Sequence, residues 1–174
     1  IELLGPPKKY VSRGGEKLEA ALDAFAIDPA DNVVLDAGSS TGGFTDCCLQ
    51  RGATRVIAID VGYNQLHEKL RKDPRVYSHE RTHVRDLSPE VYGEADLLVG
   101  DLSLISLTKV VEPLLSVTKL GGDLVLLVKP QFEAGRSEVS KGKGVITDPG
   151  VHARTVAEVC SAFESAGAAK MGEL

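Results

Sequence analysis

Three residues could hold charge or move a proton: Lys17 on a helix in SRGGEKL, and Asp101 in GDLS and Lys129 in LVLLVKP, each at the end of an apolar run. A lysine amine held near another cation or in a dry site loses its proton more easily and can act as a base. An aspartate between two lysines can orient them. Taken singly, each has a plainer reading: Lys17 as a helix-surface lysine, Asp101 as the cap of a following helix, Lys129 as a solvated strand-end residue. Lys129 is the least plain, because the apolar run LVLLV leads into it and Pro130 follows. Together the three suit a reaction in which a hydroxyl must be polarised or deprotonated before it attacks.

A second constellation reads as a binding loop for a small molecule. The stretch LDAGSSTGGFTD places Asp36 at the end of an apolar run and follows it with Gly38, Ser39, Ser40, Thr41, Gly42, Gly43 and Phe44. A dinucleotide fingerprint needs G-x-G-x-x-G, and the glycine spacing here differs. A carboxylate beside the loop is awkward for a pyrophosphate. It suits a ligand carrying ammonium and sulfonium charge. Bare backbone at Gly42 and Gly43 allows close approach, and a helix N-terminus can receive a carboxylate. Asp60, followed by Val61, ends the next apolar run, where an acid can accept both hydroxyls of a ribose. Thr82 and His83 follow a third run and are expected near an adenine. The set favours S-adenosylmethionine over a dinucleotide as cofactor. The position after the fourth run reads DLSLISL rather than an Asn/Asp-Pro-Pro-Tyr type motif, which disfavours a base nitrogen as methyl acceptor.

These residues need a scaffold that brings strand ends together. The pattern predicts strands at 32–36, 55–60, 75–80, 95–101 and 123–129, and helices at 42–51, 65–72, 107–118 and 151–166. An earlier helix from Arg13 carries Leu18, Ala21, Leu22 and Phe25 at helical spacing. A sixth strand is expected to start at Ala168. Near-continuous apolar strands alternating with helices imply a doubly wound, mostly parallel α/β sheet covered on both faces. Such sheets bind ligands at the carboxyl ends of their strands. The long segment 130–150 reads as a substrate lid.

Composition narrows the function classes. The chain has 174 residues, 43% apolar and 26% charged, which is about one globular domain. No apolar stretch approaches the roughly 20 residues of a membrane helix. The net charge of −5 argues against sequence-blind nucleic-acid binding. Basic residues nevertheless cluster at Lys8, Lys9, Arg13 and Lys17, and again at Arg136, Lys141 and Lys143. The three cysteines form no Cys-x-x-Cys or Cys/His cluster, and His79 and His83 lack a common face, so no metal site is expected. A reducing, cytoplasmic setting is expected.

The stretches YVSRGGEKL, LDAGSSTGGFTD, DVGYNQL, ERTHVRDL, GDLSLISL and VKPQFEAGR together resemble the TlyA (hemolysin A) family, within the FtsJ-like class of RNA ribose methyltransferases. The resemblance runs from Tyr10 onward. It implies a Rossmann-like class I methyltransferase fold, S-adenosylmethionine as cofactor, ribosomal RNA or ribosomal subunits as partner, and 2′-O-methylation of cytidine. It also implies that residues 1–11 are a linker and the end of an N-terminal S4 RNA-binding domain. Residues 12–174 would then be a methyltransferase domain lacking its last strands. The family's Lys-Asp-Lys-Glu tetrad maps to Lys17, Asp101 and Lys129, with its glutamate expected beyond Leu174. Two other readings remain at this stage. One is a hemolysin-type membrane-active or non-catalytic RNA-binding protein on the same fold, although no amphipathic or spanning element supports lysis. The other is a small-molecule methyltransferase.

Overall fold

Five apolar runs become five strands because helices are available to cover both faces of the sheet they form. The computed structural model describes residues 8–135 and 146–174. In chain order the elements are α1 (Gly14–Phe25), β1 (Val33–Ala37), α2 (Gly43–Gln50), β2 (Arg55–Ile59), α3 (Glu68–Arg71), β3 (Val76–His79), α4 (Pro89–Tyr92), β4 (Ala95–Gly100), α5 (Val111–Ser116), β5 (Thr118–Leu126), α6 (Pro130–Glu133) and α7 (Pro149–Ser165). Single 3₁₀ turns lie at Val84–Asp86 and Leu107–Lys109. The strand order is β3-β2-β1-β4-β5, and every neighbouring pair is parallel. This is the expected doubly wound α/β sheet, with its topological switch point between β1 and β4.

Alternation along the strands divides the core between the two faces. Val34, Val56, Leu97 and Val99 meet Leu18 and Leu22 of α1, Cys47 and Cys48 of α2 and Leu70 of α3. Leu35, Ile57, Ile59 and Leu98 meet Leu114 of α5 and Val159 and Phe163 of α7. Each such aliphatic side chain contributes roughly 1.5–3 kcal/mol on burial. At the amino edge of the sheet one carboxylate ties three strands together. Asp96 at β4 accepts from the Val33 N–H of β1 at 2.9 Å and from Lys119 of β5 at 2.5 Å.

Several boundaries differ from the pattern-based expectation. The helix expected at 107–118 is a 3₁₀ turn followed by α5. Pro113 explains the break: it has no N–H to offer the Lys109 carbonyl, so a continuous helix would lack that bond and clash there. The strand expected at 123–129 starts at Thr118 and stops at Leu126. Its register jumps, with Ala95 opposite Thr118 but Leu97 opposite Asp123, so the residues between bulge out. The helix expected at 65–72 shortens to α3, whose N-cap His67 accepts the Lys69 N–H at its Nδ1. Residues 168–174 form no strand. Within the segment expected to be a lid, the structure places α6 and the start of α7, and residues 136–145 lie outside the described residues.

Two adjacent glycines join α2 to its surroundings for packing reasons. Gly42 has φ +101°, a left-handed conformation that costs other residues energy. Gly43 abuts the start of α1: a Cβ there would lie 2.3 Å from Ser12 Oγ and 2.8 Å from the Gly15 nitrogen. Gly43→Ala is therefore expected to lower stability by about 1–3 kcal/mol through overpacking. Urea unfolding checks this as a lower midpoint with an unchanged slope; an unchanged midpoint would mean that α1 does not depend on this contact.

Candidate active site

The site begins where β1 and β4 part. After Ala37 the chain turns sharply, and the N–H groups of Gly38 and Ser39 both donate to the Ile59 carbonyl, at 2.9 and 3.0 Å. Gly42 N–H closes the turn onto Ser39 O at 2.8 Å. The loop then enters α2. From the other side α1 is pinned against α2: Val11 N–H donates to Asp46 Oδ2 at 2.9 Å, and Gln50 reaches both Asp46 and the Lys9 carbonyl. Arg51 of α2 pairs with Asp23 of α1 at 2.6 Å. Docking α1 in this way places Lys17 over the loop.

A cleft of about 780 Å³ results, within the size range of small-molecule sites. Its walls are Ser12, Arg13, Gly14, Glu16 and Lys17 from α1 and its approach, Gly38–Thr41, Gly43 and Phe44 from the loop, Asp101 and Ser103 after β4, and Lys129 after β5. All three residues singled out for proton chemistry thus line one cleft. Lys129 Nζ lies 2.5 Å from Asp101 Oδ1, an ion pair set off the line of a hydrogen bond. It also donates to Ser103 Oγ at 2.9 Å and sits 5.7 Å from the centre of the Phe132 ring. Lys129 is not on a strand, as expected from sequence, but is the N-cap of α6.

The remaining predicted residues lie around this cleft rather than in its wall. Asp60 borders the loop: its Oδ2 accepts the Ser40 N–H and its Oδ1 the Gly62 N–H, both at 2.7 Å. Each oxygen keeps a further lone pair for a ligand. Thr82 N–H donates to the Asp60 carbonyl at 2.9 Å, which brings Thr82 and His83 beside Asp60 and the exposed Val61. Gly42 faces away, toward Leu66 and Leu70. Sequence reasoning missed Ser12, Glu16 and Ser103. The signal for Ser103 was its spacing two residues after Asp101.

Asp36 departs furthest from expectation. It lies within β1 rather than at a solvated strand end, and it is fully buried. Thr45 Oγ1 donates to its Oδ2 at 2.7 Å, while Oδ1 has no hydrogen-bond partner among the described residues. Burial pushes its carboxyl up to about 7, against the hydrogen bonds from Thr45 and with help from the charges of Asp101 and Asp60. An uncompensated carboxylate oxygen next to a polar cleft of this volume fits a cationic, nucleoside-sized ligand such as S-adenosylmethionine.

Of the basic residues noted in the sequence, Arg13 and Lys17 line the cleft, and Lys9 is paired with Glu19. Arg136, Lys141 and Lys143 lie outside the described residues. Among the described residues no group of acids, histidines and cysteines could hold a metal ion. None of their helices is long and apolar enough to cross a membrane.

Comparison with known proteins gives concordant results. Residues 10–170 match the FtsJ-like methyltransferase family. The chain is 50% identical over 161 residues to the 16S/23S rRNA (cytidine-2′-O)-methyltransferase TlyA of Mycobacterium tuberculosis, covering 92% of this chain and 60% of that protein. It is 48% identical over 142 residues to hemolysin A of Brachyspira hyodysenteriae, covering 80% of this chain and 59% of that protein. A solved chain from Streptococcus thermophilus, named "Putative hemolysin", superposes with a TM-score of 0.91 at 42% identity, covering 97% of this chain and 61% of that one. The chain therefore spans about 60% of the length of the curated relatives it matches.

The buried carboxyl gives a pH signature. Its folded value, about 7, exceeds the ordinary 3.8, so between these limits the native state holds a proton that the unfolded chain has lost. Stability falls as pH rises through that window, and the full cost is present above it. Asp36→Asn removes the charge at every pH. Its stability relative to the parent is expected to rise from pH 4 to pH 8, by an amount on the order of a few kcal/mol. Urea titrations at several pH values check this, and a difference independent of pH would contradict it.

Proposed function

We propose that this chain, which belongs to the FtsJ-like methyltransferase family, carries the catalytic machinery of an S-adenosylmethionine-dependent rRNA methyltransferase that modifies the 2′-hydroxyl of cytidine. The observation that carries this reading is the meeting of the Gly38–Phe44 loop with Lys17, Asp101 and Lys129 in one cleft. A ligand-binding loop without polar side chains opposite it would serve binding alone. A lysine–aspartate pair without the loop would be an ordinary ion pair. Ribosomal RNA is the partner and the cytoplasm the setting that follow from this reading.

When bound, S-adenosylmethionine supplies an electrophilic methyl group on a sulfonium. Asp36, Asp60 and the Gly38–Phe44 backbone would hold it, with Val61, Thr82 and His83 around the adenosine end. Lys17 and Lys129, which line the same cleft, would face the acceptor hydroxyl. Lys129 in its amine form would take the proton of the hydroxyl as that oxygen accepts the methyl group, the electron pair of the broken sulfur–methyl bond staying on sulfur. Asp101 Oδ1 and Ser103 Oγ, 2.5 and 2.9 Å from Lys129 Nζ, would hold the ammonium so formed. Asp101 thus stabilises the protonated product of the base.

Lysis by a spanning helix finds no support among the described residues. A liposome leakage assay beside methyl transfer to ribosomal subunits separates the two readings. Transfer without leakage is expected; leakage without transfer would overturn the enzymatic one.

Lys129→Ala is expected to reduce methyl transfer about 10²–10⁴-fold, the usual worth of a positioned base. Affinity for S-adenosylmethionine should change little, because the partner of Lys129 is the substrate hydroxyl. Lys129→Arg should fail as well, since a guanidinium does not release its proton near neutral pH. Tritiated-methyl transfer and calorimetry check both; substantial turnover by the arginine variant would rule out a base role and leave electrostatic positioning.

A further inference from the structure

Asp101 and Lys129 stand on two segments outside the sheet ladder, the run after β4 and the short α6 after β5. Asp101 is tied to the sheet through its N–H, which donates to the Ala37 carbonyl at 3.1 Å, whereas Lys129 stands beyond the last residue of β5. What holds Lys129 beside Asp101 is the set of contacts between the two segments. One end of that contact is the pair with Ser103, already described. The other end is formed by Glu133, the last residue of α6.

Glu133 is bound twice across the gap. Its Oε2 accepts the Ser106 hydroxyl at 2.6 Å, and its Oε1 accepts the Leu107 N–H at 2.9 Å. The second bond satisfies a free donor at the start of the 3₁₀ turn Leu107–Lys109, and charged acceptors make such bonds short and strong. Glu133 follows Lys129 by one helical turn. Ser106 and Leu107 follow Asp101 and Ser103 by a similar length of chain. The two segments are therefore held at both ends, with Lys129 at one and Glu133 at the other.

We infer that Glu133 is a positioning residue for the reaction: it locks the segment after β4 against α6 so that Lys129 stays between Asp101 and Ser103. Glu133 does not line the cleft and touches no reacting atom. It acts through the register of two backbones. This rests on the methyl-transfer reading above, so the test carries a readout that does not need turnover.

The experiment compares the parent with Glu133→Ala and Glu133→Gln. Methyl transfer from S-adenosylmethionine to ribosomal subunits gives kcat and KM. Acetylation by a lysine-directed reagent, followed residue by residue with mass spectrometry, reports the accessibility of each amine. The alanine variant is expected to lose about 10- to 100-fold in kcat with KM for the cofactor within about twofold, the pattern of misplaced groups rather than lost binding. Its Lys129 should acetylate several times faster, while Lys119, paired with Asp96 at the opposite, amino end of the strands, should be unaffected. Glutamine keeps a carbonyl that can accept the Leu107 N–H, so it should recover much of the rate and of the protection. Unchanged kcat with unchanged Lys129 acetylation would overturn the positioning role. Equal acceleration at Lys119 and Lys129 would overturn it too, as general loosening. A parent protein that transfers no methyl, with acetylation responding as expected, would overturn the methyl-transfer reading and uphold the lock.

Discussion

The parallel pairing of β1 with β4 is the constraint on which the site depends. These strands are distant in sequence, yet Asp36 lies opposite Val99 and Ala37 opposite Gly100. Beyond that register the two chains diverge, because one continues to α2 on one face and the other to α5 on the opposite face. The space left between them is the crevice common to sheets of this order. Every proposed group is placed relative to it. The Gly38–Phe44 loop leaves one wall and Asp101 the other. Lys129 comes from the next strand over, and Lys17 reaches across from α1. A slip of one residue in this register would turn Asp36 from the cleft side of the sheet toward the opposite layer.

The same pairing explains the strained chemistry at Asp36. A carboxylate in a central strand, covered on both faces, has Thr45 on one oxygen and no hydrogen-bond partner on the other among the described residues. Such a group would be poor design for stability alone. Its neighbours Asp60 and Asp101 are also acids, and both raise the difficulty of ionising it. The positive groups that line the cleft are Arg13, Lys17 and Lys129, and Lys129 stands against Asp101 at 2.5 Å, while Asp36 has no cation at hydrogen-bond distance among the described residues.

Much of this was legible in the sequence, for reasons that differ by element. Strands β1, β2 and β4 were placed within about a residue because fully covered strands are apolar runs bounded by polar residues. The meeting of Asp101 and Lys129 followed from the rule that ligands bind at carboxyl ends of strands, whereas Lys17 sits on a helix that this rule does not reach. Tertiary effects hid the rest. Residues 119–122, left between the expected helix 107–118 and strand 123–129, lie in a bulge within β5. Asp36 looked like a strand-end acid because apolar patterning does not reveal that the ladder runs one residue further. The role of Glu133 was hidden as well, since its partners Ser106 and Leu107 lie more than twenty residues upstream. Pro113, by contrast, did signal the break before α5 and could have been used.

The Asp96 tie at the amino edge makes the sheet unequal along its length. At that end β1, β4 and β5 are fastened by one buried-edge carboxylate and its ion pair with Lys119. At the carboxyl end the strands finish in loops held to one another by hydrogen bonds and the Lys129–Asp101 pair rather than by a continuous ladder. Amide hydrogen exchange should follow this gradient, because opening is local and its free energy tracks how many packed and bonded neighbours must separate. The amides in the middle of β1 and β4 would exchange only on global unfolding. Those of Ser103–Ser106 and of α6 would exchange through small openings. A cofactor or RNA bound in the crevice would then be seen first as slowed exchange in these loops, with the strands beneath them unchanged.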